Sequence, residues 1–553
     1  MSLTFCTIGL RYWRFSKNCA VHKGRNDIAG GEVKIRRWVI GLIAFIVSTL
    51  IALWLWRILQ PSEVIEVRAK ILPIGFFWNF EIRDLNGDGS DELLVKVTSH
   101  PWFGRGSDRV FIVTMHNGRL VAHPTPFVFT WISSTGGRRL IGIVESSGSK
   151  EVAVAEWMPD GKWKVEKLGI TGLYHNYAFA IGDWDGDGED NTSIVLKDQN
   201  TLFFQKQPKG GWQKVKERRI MKSWGISGTE WGVQIHRDDE VPLFFWRGQW
   251  CFGQPNEAVS LFSGDWDGNG QPDKLLVRVS PDGKTLTMHL ALESKQSKKQ
   301  HLSHRFRFAD WEVIKWIAAT NQLGDGHWHL LVPLMKPKPL TLRLMDFWFS
   351  PNRNWQMTEF ARWQVEVIVL PVEILVGDSD EDGRTEIFVV ADEHLCRLLK
   401  TSSGWQIQTL SFLSQSEFLR WVEIGKRLWF FRSQHHLLEL GNFRTDGRWE
   451  VKWKVARSLW HEAVDDLNGD GFPEVLVFQG RFFPHPVIWW RAKSVWRKHA
   501  LVGSSLLRLI NGWLHSPEGF VEPEEIIVVR WEGKKWFVVL WSDGVVQAVT
   551  LRH

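Results

Sequence analysis

A short acidic loop occurs five times in this chain, each time between two apolar runs. Every copy has a side-chain oxygen at positions 1, 3, 5 and 9 and a glycine at position 6. Glycine permits the tight turn that a residue with a Cβ would resist. The oxygens therefore converge, and hard cations such as calcium bind six to eight oxygens at about 2.3–2.6 Å. The loops are Asp84–Glu92, Asp183–Asn191, Asp265–Asp273, Asp378–Glu386 and Asp466–Glu474.

The residues that follow these loops argue against an EF-hand. An EF-hand closes its coordination shell with a glutamate at position 12, between two helices. Strand-like runs flank these loops instead, for example Leu93–Val97 and Leu275–Val279. Each loop is therefore predicted to join two strands and to close its shell at position 9. Position 12 is apolar in all five loops, as Val95, Ile194, Leu276, Val389 and Val477.

This combination of loop and strands resembles the FG-GAP and VCBS repeats, the calcium-loop blades of integrin-alpha-type β-propellers. The resemblance covers roughly Phe76 to the C-terminus and implies side-chain ligands at positions 1, 3, 5 and 9, with a backbone carbonyl at position 7. Asn191 at position 9 and Asn269 at position 5 depart from the family pattern, so weaker sites are expected there. The implied ligands are Asp84, Asn86, Asp88, Ser90, Glu92, Asp183, Asp185, Asp187, Glu189, Asn191, Asp265, Asp267, Asn269, Gln271, Asp273, Asp378, Asp380, Asp382, Arg384, Glu386, Asp466, Asn468, Asp470, Phe472 and Glu474.

The charge of the loops favours bound calcium. Their ligand positions hold sixteen carboxylates, which would repel one another without a cation. Solvated turns are the alternative, because Asp-Gly and Asn-Gly form turns anyway, but the repeated oxygen spacing argues against it. Magnesium is disfavoured because it keeps several waters and rarely uses an all-protein cage. We expect about five calcium ions with a structural role, one for each loop.

Turn and strand signals between the loops predict an all-β fold of four-stranded blades. A degenerate copy, Asn321–His329, lacks the acids at positions 1 and 9 and lies 56 residues after Asp265 and 57 before Asp378. Sheets arranged radially leave only short, protected edges. With units of about 40–60 residues, residues 76–553 are expected to form a β-propeller of seven or eight blades, with insertions in 84–183 and 183–265. Two separate propellers remain an open alternative.

Tryptophan is unusually frequent, with 35 residues against three tyrosines. Where it recurs at the start of a strand-like run, it is expected to pack between blades. Non-repeating aromatics are the candidates for a ligand surface, in the irregular stretch 213–257 and in the glycine-rich stretch 100–107. The repeating residues are Trp163, Trp212, Trp355, Trp405, Trp449, Trp496 and Trp536, and the non-repeating ones are Trp102, Phe103, Trp224, Trp231, Trp246 and Trp250.

The N-terminal part of the chain predicts a membrane anchor. Trp38–Trp56 is nineteen residues without a charge, and a helix of that length spans the hydrocarbon core of a bilayer. Residues 1–37 carry eight Lys or Arg against two acids, which predicts a cytoplasmic N-terminus. A cleaved signal peptide is disfavoured, because Arg57–Pro61 has no small-x-small cleavage site. Residues 57–75 are expected to be a linker, and a translation start at Val33, which would make residues 1–32 an artefact, stays open.

Net charge and motifs narrow the function. The basic excess lies entirely in residues 1–37, so it does not indicate nucleic-acid binding. The cysteines (Cys6, Cys19, Cys251 and Cys396) form neither a disulfide framework nor a metal-ligand spacing, although a Cys251–Cys396 bridge stays open.

No HExxH, GxSxG, P-loop or dinucleotide motif occurs. We therefore expect a non-enzymatic, single-pass membrane protein whose exported propeller, periplasmic or on the cell surface, binds a protein or glycan at the cell envelope. A lectin or a polysaccharide lyase-like enzyme built on a calcium-stabilised propeller is the alternative.

Overall fold

The computed structural model describes residues 63–552 with internal gaps. The predicted span Trp38–Trp56 and the basic segment before it lie outside the described residues. Within the described part, no helical segment has the length and hydropathy needed to cross a bilayer. The gaps are 73–75, 99–108, 129–137, 147, 159, 172–176, 185–189, 198–199, 220–224, 230–231, 237–239, 247–248, 294–299, 351–353, 365–371, 381, 392–393, 402–403, 411–417, 426, 435–436, 458–460, 480–484, 493–494, 502–522 and 543.

The described chain is a β-propeller of ten sheets, here called blades 1 to 10. Blade 1 contains β2 (Phe76–Arg83), β3 (Glu92–Thr98), β4 (Arg109–His116) and β5 (Arg119–Pro124), and blade 2 contains β6 (Arg139–Ser146), β7 (Ser149–Trp157) and β8 (Trp163–Thr171). Blade 3 contains β9 (Tyr177–Gly182), β10 (Thr192–Lys197), β11 (Asn200–Lys206) and β12 (Trp212–Arg219). Blade 4 contains β13 (Gly225–Thr229), β14 (Gly232–His236), β15 (Val241–Trp246) and β16 (Gln249–Phe252), and blade 5 contains β17 (Ala258–Gly264), β18 (Asp273–Val279), β19 (Thr285–Leu292) and β20 (Gln300–Arg307).

The remaining blades follow the same antiparallel order. In blade 6 the first strand is divided into β21 (Glu312–Val313) and β22 (Ala318–Thr320), both paired with β23 (His329–Pro337), which is followed by β24 (Leu340–Phe349) and β25 (Trp355–Gln364). Blade 7 contains β26 (Val372–Gly377), β27 (Glu386–Ala391), β28 (His394–Thr401) and β29 (Gly404–Leu410), and blade 8 contains β30 (Phe418–Ile424), β31 (Arg427–Gln434), β32 (Leu437–Phe443) and β33 (Trp449–Ala456). Blade 9 contains β34 (Glu462–Asp465), β35 (Glu474–Gln479), β36 (His485–Ala492) and β37 (Val495–Ala500).

Blade 10 joins the two ends of the propeller. It contains β38 (Pro523–Trp531), β39 (Lys534–Trp541), β40 (Val545–Leu551) and, as its outermost strand, β1 (Val64–Lys70). Pairing between β1 and β40 is antiparallel, from Val64 opposite Leu551 to Lys70 opposite Val545. The Gln547 amide also donates a hydrogen bond of 2.7 Å to Glu66. The stretch expected to be a linker thus contains the strand that closes the ring.

Ten apolar clusters fill the spaces between neighbouring blades, one cluster for each interface. The interface of blades 5 and 6 contains Leu275 and Val277 from one sheet and Leu330 and Val332 from the other, all essentially inaccessible to solvent. Alternate residues of each strand therefore face one neighbour, and the residues between them face the other. This two-sided burial explains the nearly continuous apolar runs in the second strands.

The prediction of an all-β propeller is confirmed, but the predicted seven or eight blades were too few. Each interval between successive acidic loops contains two blades, so the loops belong to blades 1, 3, 5, 7 and 9. The supposed insertion at 213–257 is mostly blade 4, which runs from Gly225 to Phe252. Blade 4 lacks a sequence signal because its strands are short and only two residues, with no acidic loop, separate its first two strands.

The repeating tryptophans pack between blades as predicted. All seven belong to the inter-blade clusters. Trp355, for example, lies 5.9 Å from the ring of Trp266 across the interface of blades 5 and 6. Two non-repeating candidates, Trp246 and Trp250, also lie in inter-blade clusters. The other non-repeating candidates, Trp102, Phe103, Trp224 and Trp231, lie outside the described residues.

In the nine blades other than blade 2, the connection between the first and the second strand emerges at one face of the propeller, here called the loop face. In blade 2, β6 begins at the loop face, because the Arg139 N–H donates to Asp190 of an acidic loop, so the connection from β7 to β8 is the one that emerges there. Because successive strands of a blade are antiparallel, the connections from second to third strands in the other nine blades, and the connections that lead into those blades, emerge at the other face, here called the opposite face. The five acidic loops therefore lie at the loop face.

Ring closure by β1 gives the first prediction. We expect a chain that begins at Leu72 to unfold at a lower temperature than a chain that begins at Glu63, because burial of Val64 alone contributes about 2 kcal/mol. The chain that begins at Leu72 also leaves the edge of β40 unpaired and should associate with other copies. Thermal unfolding and light scattering on both chains measure this. Identical melting curves would contradict closure by β1.

Candidate metal centres

Four acidic loops share one hydrogen-bonding scheme, which holds their carboxylates in place. The carboxylate at position 1 accepts the N–H of the glycine at position 6, at 2.8 to 2.9 Å. The side-chain oxygen at position 5 accepts the N–H of position 7, at 2.7 to 2.8 Å. The carboxylate at position 9 accepts the N–H of position 2, at 2.6 to 3.1 Å. These loops begin at Asp84, Asp265, Asp378 and Asp466.

Glycine is required where the backbone turns sharply inside the loop. Gly89 and Gly471 at position 6 have φ angles of 84° and 83°. L-residues with a Cβ rarely adopt this left-handed conformation. It directs the N–H of position 6 at the carboxylate of position 1, so the glycine spacing of the sequence determines where the acids converge.

The residue at position 2 attaches four of the five loops to the next interface of the ring. Leu85, Trp184, Trp266 and Leu467 are buried in the clusters between their own blade and the following one. Its N–H donates to the carboxylate at position 9 in the loops that begin at Asp84, Asp265 and Asp466. Placement of the loop carboxylates is therefore mechanically coupled to inter-blade packing.

The acid at position 8 connects two of the loops to the preceding blade. Asp91 accepts the N–H of Arg530 in blade 10 at 2.7 Å, and its own N–H donates to the carbonyl of Arg530 at 2.7 Å. Asp190 is buried and accepts the N–H of Arg139 in blade 2 at 2.9 Å. Sequence reasoning did not assign either residue a role. In the sequence, only the acid at position 8 signals this contact, and the residue that binds the acid is distant in the chain.

Position 9 provides buried carboxyl groups beside other acids. Burial raises the pKa of Glu92 to about 7, with the Leu85 N–H lowering it and the nearby Asp88 and Asp84 raising it. Burial likewise raises the pKa of Glu474 to about 8 and that of Asp273 to about 6. A cation between these acids would stabilise the charged carboxylate at position 9 and so lower its pKa again.

The loop at Asp265 fits a cation well. Ligand atoms of Asp265, Asp267 and Asp273 all lie within 4.8 Å of one another. Both carboxylate oxygens of Asp273 are held by backbone N–H groups, those of Trp266 at 2.9 Å and Glu293 at 2.8 Å. Three oxygen-donating side chains fixed in this way make up half of a minimal calcium shell.

The loops at Asp84 and Asp466 use an asparagine amide at the centre. The Asn86 Nδ2 group donates to Asp88 and to Glu92, both at 3.0 Å. Asn468 makes the same contacts with Asp470 at 3.3 Å and Glu474 at 2.9 Å. The amide thus supplies a partial positive charge between two acids. Rotation of the amide group would present its oxygen to a cation instead.

The second loop is described only in part. Asp183 and Asn191 flank it, whereas Asp185, Asp187 and Glu189 lie outside the described residues. The Asn191 carbonyl accepts the N–H of Lys206 at 2.8 Å, and its side chain accepts the hydroxyl of Thr192 at 3.0 Å.

The loop at Asp378 has the most acids, and an arginine side chain pairs with two of them. Ligand atoms of Asp378, Asp380 and Asp382 lie within 4.8 Å of one another. Glu386 at position 9 instead forms an ion pair with Arg397 of β28, which also pairs with Asp380 at 2.5 Å. The Arg397 side chain is fully buried.

The degenerate loop in blade 6 has a histidine at position 9. His329 is buried between two acids, with Nε2 at 2.9 Å from Asp325 and Nδ1 at 3.0 Å from Asp346. Burial lowers the pKa of His329, but hydrogen bonds to the two carboxylates outweigh this and raise its pKa above the ordinary value. The sequence alone shows the histidine at position 9 but not its contact with Asp346, because Asp346 belongs to β24 and not to the loop.

The two cysteines in the described residues are separate. Cys251 lies in blade 4 and Cys396 in blade 7, and both are free thiols. The Cys251–Cys396 bridge that the sequence left open is therefore absent here.

Comparisons with known proteins add little to the geometry. No family model and no curated protein matches the chain. One similar solved structure is the crystal structure of a protein from Lactobacillus plantarum, with 8% identity and a TM-score of 0.25, covering 62% of this chain and 91% of the other. A TM-score that low carries no argument, so the fold rests on the sheet pairing. The FG-GAP and VCBS resemblance stays a prediction.

The buried histidine gives a pH-dependent prediction. Because the pKa of His329 is raised in the folded protein, its stabilisation is complete below about pH 6.5 and is lost as the pH rises through the raised pKa. We expect His329→Gln to cost about 3 kcal/mol at pH 5.5, since removing one partner leaves a buried carboxylate unpaired.

The gap between the melting temperatures of wild type and His329→Gln should narrow as the pH rises. Thermal unfolding from pH 5.5 to 9 measures it, with His116→Gln as the control because His116 is exposed. A gap that stays constant across this range would contradict a charged His329.

Proposed function

We propose that the protein is a calcium-stabilised β-propeller that acts as a non-enzymatic interaction module at the cell envelope. The observation that supports this most is the common loop scheme, repeated at one face and attached to inter-blade packing. A cation in such a loop draws together side chains that are tied to two neighbouring blades. The proposed role of calcium is therefore to hold blades in register, without taking part in a reaction.

The donor set of the loops at Asp84, Asp265 and Asp466 suits calcium. Carboxylates and amide oxygens at positions 1, 3, 5 and 9 are hard ligands, and the position 7 carbonyl would add another. Asp183–Asn191 is proposed as a fourth site on its sequence. Calcium at these places supplies only charge neutralisation and cross-linking, because position 9 closes the shell.

The opposite face is proposed as the surface that meets a partner. At this face, ten residues separate the end of β3 from the start of β4, and 22 residues separate the end of β37 from the start of β38. Loops held by a rigid scaffold are where binding residues concentrate. The predicted anchor Trp38–Trp56 would keep the propeller at the membrane, outside the cytoplasm, with a protein or glycan of the envelope as its partner.

A cavity at the opposite face favours a glycan-binding role as the second candidate. It has a volume of about 420 Å³ and lies between blades 5 and 6. Trp316, four residues after the lining residue Glu312, is 50% exposed. The ammonium groups of three lining lysines suit the charge of an acidic sugar, and the exposed tryptophan offers a surface for stacking. The lining residues are Lys284, Ala309, Asp310, Glu312, Lys336, Pro337 and Lys338.

Calcium removal tests the structural role. We expect excess EGTA to lower the melting temperature and added calcium, but not magnesium, to restore it. Glu474→Gln should reduce the response to calcium, because it removes the carboxylate that closes one loop. Asp446→Asn is the matched control, since Asp446 lies in a turn outside the acidic loops. A melting curve that EGTA leaves unchanged would exclude occupied calcium sites.

The interaction role is tested on the full chain in its envelope. Proximity labelling should mark a reproducible envelope neighbour, and purified protein should bind acidic glycans on an array if the second candidate is right. The double variant Trp316→Ala/Lys336→Glu should then lose glycan binding, whereas Met357→Ala, an exposed side chain on β25, should keep it. Release of unsaturated uronate from a polysaccharide would contradict the non-enzymatic role.

A further inference from the structure

We propose that the loop Asp378–Glu386 contains its own cation, the guanidinium of Arg397, and does not bind calcium. This inference rests on the proposed function for the other acidic loops. Arg397 pairs with Asp380 at position 3 and Glu386 at position 9, so two of the four side-chain ligands are already engaged in ion pairs. The loop with the most carboxylates is thus the one with a permanent positive charge beside it.

The register of the sheets shows that Arg397 is peculiar to blade 7. It stands opposite Phe388, two residues after position 9, on the third strand. At the same place the other four acidic-loop blades have an apolar residue. Those residues are Ile112 opposite Leu94, Phe204 opposite Ser193, Leu290 opposite Leu275 and Ile488 opposite Leu476. A fully buried arginine at an otherwise apolar position requires partners, and the loop acids supply them.

Arginine also takes over the cross-linking that a metal ion would provide. Its Nη1 donates a hydrogen bond of 2.6 Å to the carbonyl of Arg444, in blade 8. The same loop reaches blade 8 through its backbone, where the Leu428 N–H donates to the Asp378 carbonyl at 3.0 Å. One side chain therefore connects the loop acids of blade 7 with the next blade, without a metal.

Electrostatics disfavours calcium in this loop. Guanidinium is always charged near neutral pH and is only weakly hydrated, so it stays in a buried ion pair. A divalent cation bound by Asp380 or Glu386 would have to displace it or lie beside it, with strong repulsion at low dielectric. The remaining acids, Asp378 and Asp382, are partly exposed or exposed and are solvated.

Bound calcium, counted by equilibrium dialysis with metal analysis, tests the inference. We expect Glu386→Gln to bind as many calcium ions as wild type, whereas the matched Glu474→Gln binds one fewer. Arg397→Leu, which restores the apolar residue of the other blades, should bind one more. Arg457→Leu, at another buried arginine in an ion pair, controls for the loss of a buried charge and should leave the count unchanged. Loss of one ion in Glu386→Gln, or no gain in Arg397→Leu, would overturn the inference.

A second measurement does not depend on calcium. In excess EGTA, Arg397→Leu and Glu386→Gln should each lower the melting temperature, and the double variant should lose less than the sum. If the melting-temperature losses of the two single variants add up to the loss of the double variant, the ion pair between Arg397 and Glu386 is contradicted. If wild type binds no calcium at all, the proposed function fails, while this cycle still decides whether Arg397 is the resident cation.

Discussion

The fold depends on filling the interface between neighbouring blades. Each of the ten interfaces contains one apolar cluster, and β1 completes the last blade with the strand that precedes all others. The acidic loops act on these same interfaces, because the position 2 side chain enters the following cluster while its N–H holds the position 9 carboxylate in three of them. The position of the loop carboxylates and the packing between blades therefore depend on the same residues.

Much of the architecture could be predicted from sequence, and the error in the blade count has a clear cause. The acidic loop marks every second blade, whereas the sequences of blades 2, 4, 8 and 10 lack it and blade 6 has only the degenerate copy. The intervals at 84–183 and 183–265 therefore each hold two blades. Spacings of 56 and 57 residues around Asn321–His329 already indicated two blades between loops. Applied to the other intervals, that spacing leads to ten blades, without the insertions that were assumed.

Within the site, sequence predicted what is local and missed what is distant. The loop scheme follows from residue spacing, because its hydrogen bonds join residues no more than seven apart. Partners from other strands could not be read in this way. Arg397 contacts Asp380 because β28, the second strand after the loop, lies beside the strand that follows the loop. Asp91 contacts Arg530 because ring closure brings blade 10 beside blade 1. Pairing register, which a single sequence does not contain, decides these contacts.

The acidic loops have three ways to offset their charge. An asparagine amide lies between the acids at Asp84 and Asp466, an arginine at Asp378, and a histidine replaces the acid itself in blade 6. Only the first leaves the acids available to a metal. Blades 6 and 7 are neighbours, so the two loops with a protein cation are adjacent in the ring. Under the proposed calcium binding, dependence on calcium should therefore be uneven. The blades of this sector should keep their inter-blade contacts when calcium is removed, and loosening should start in the blades whose loops have no cation of their own.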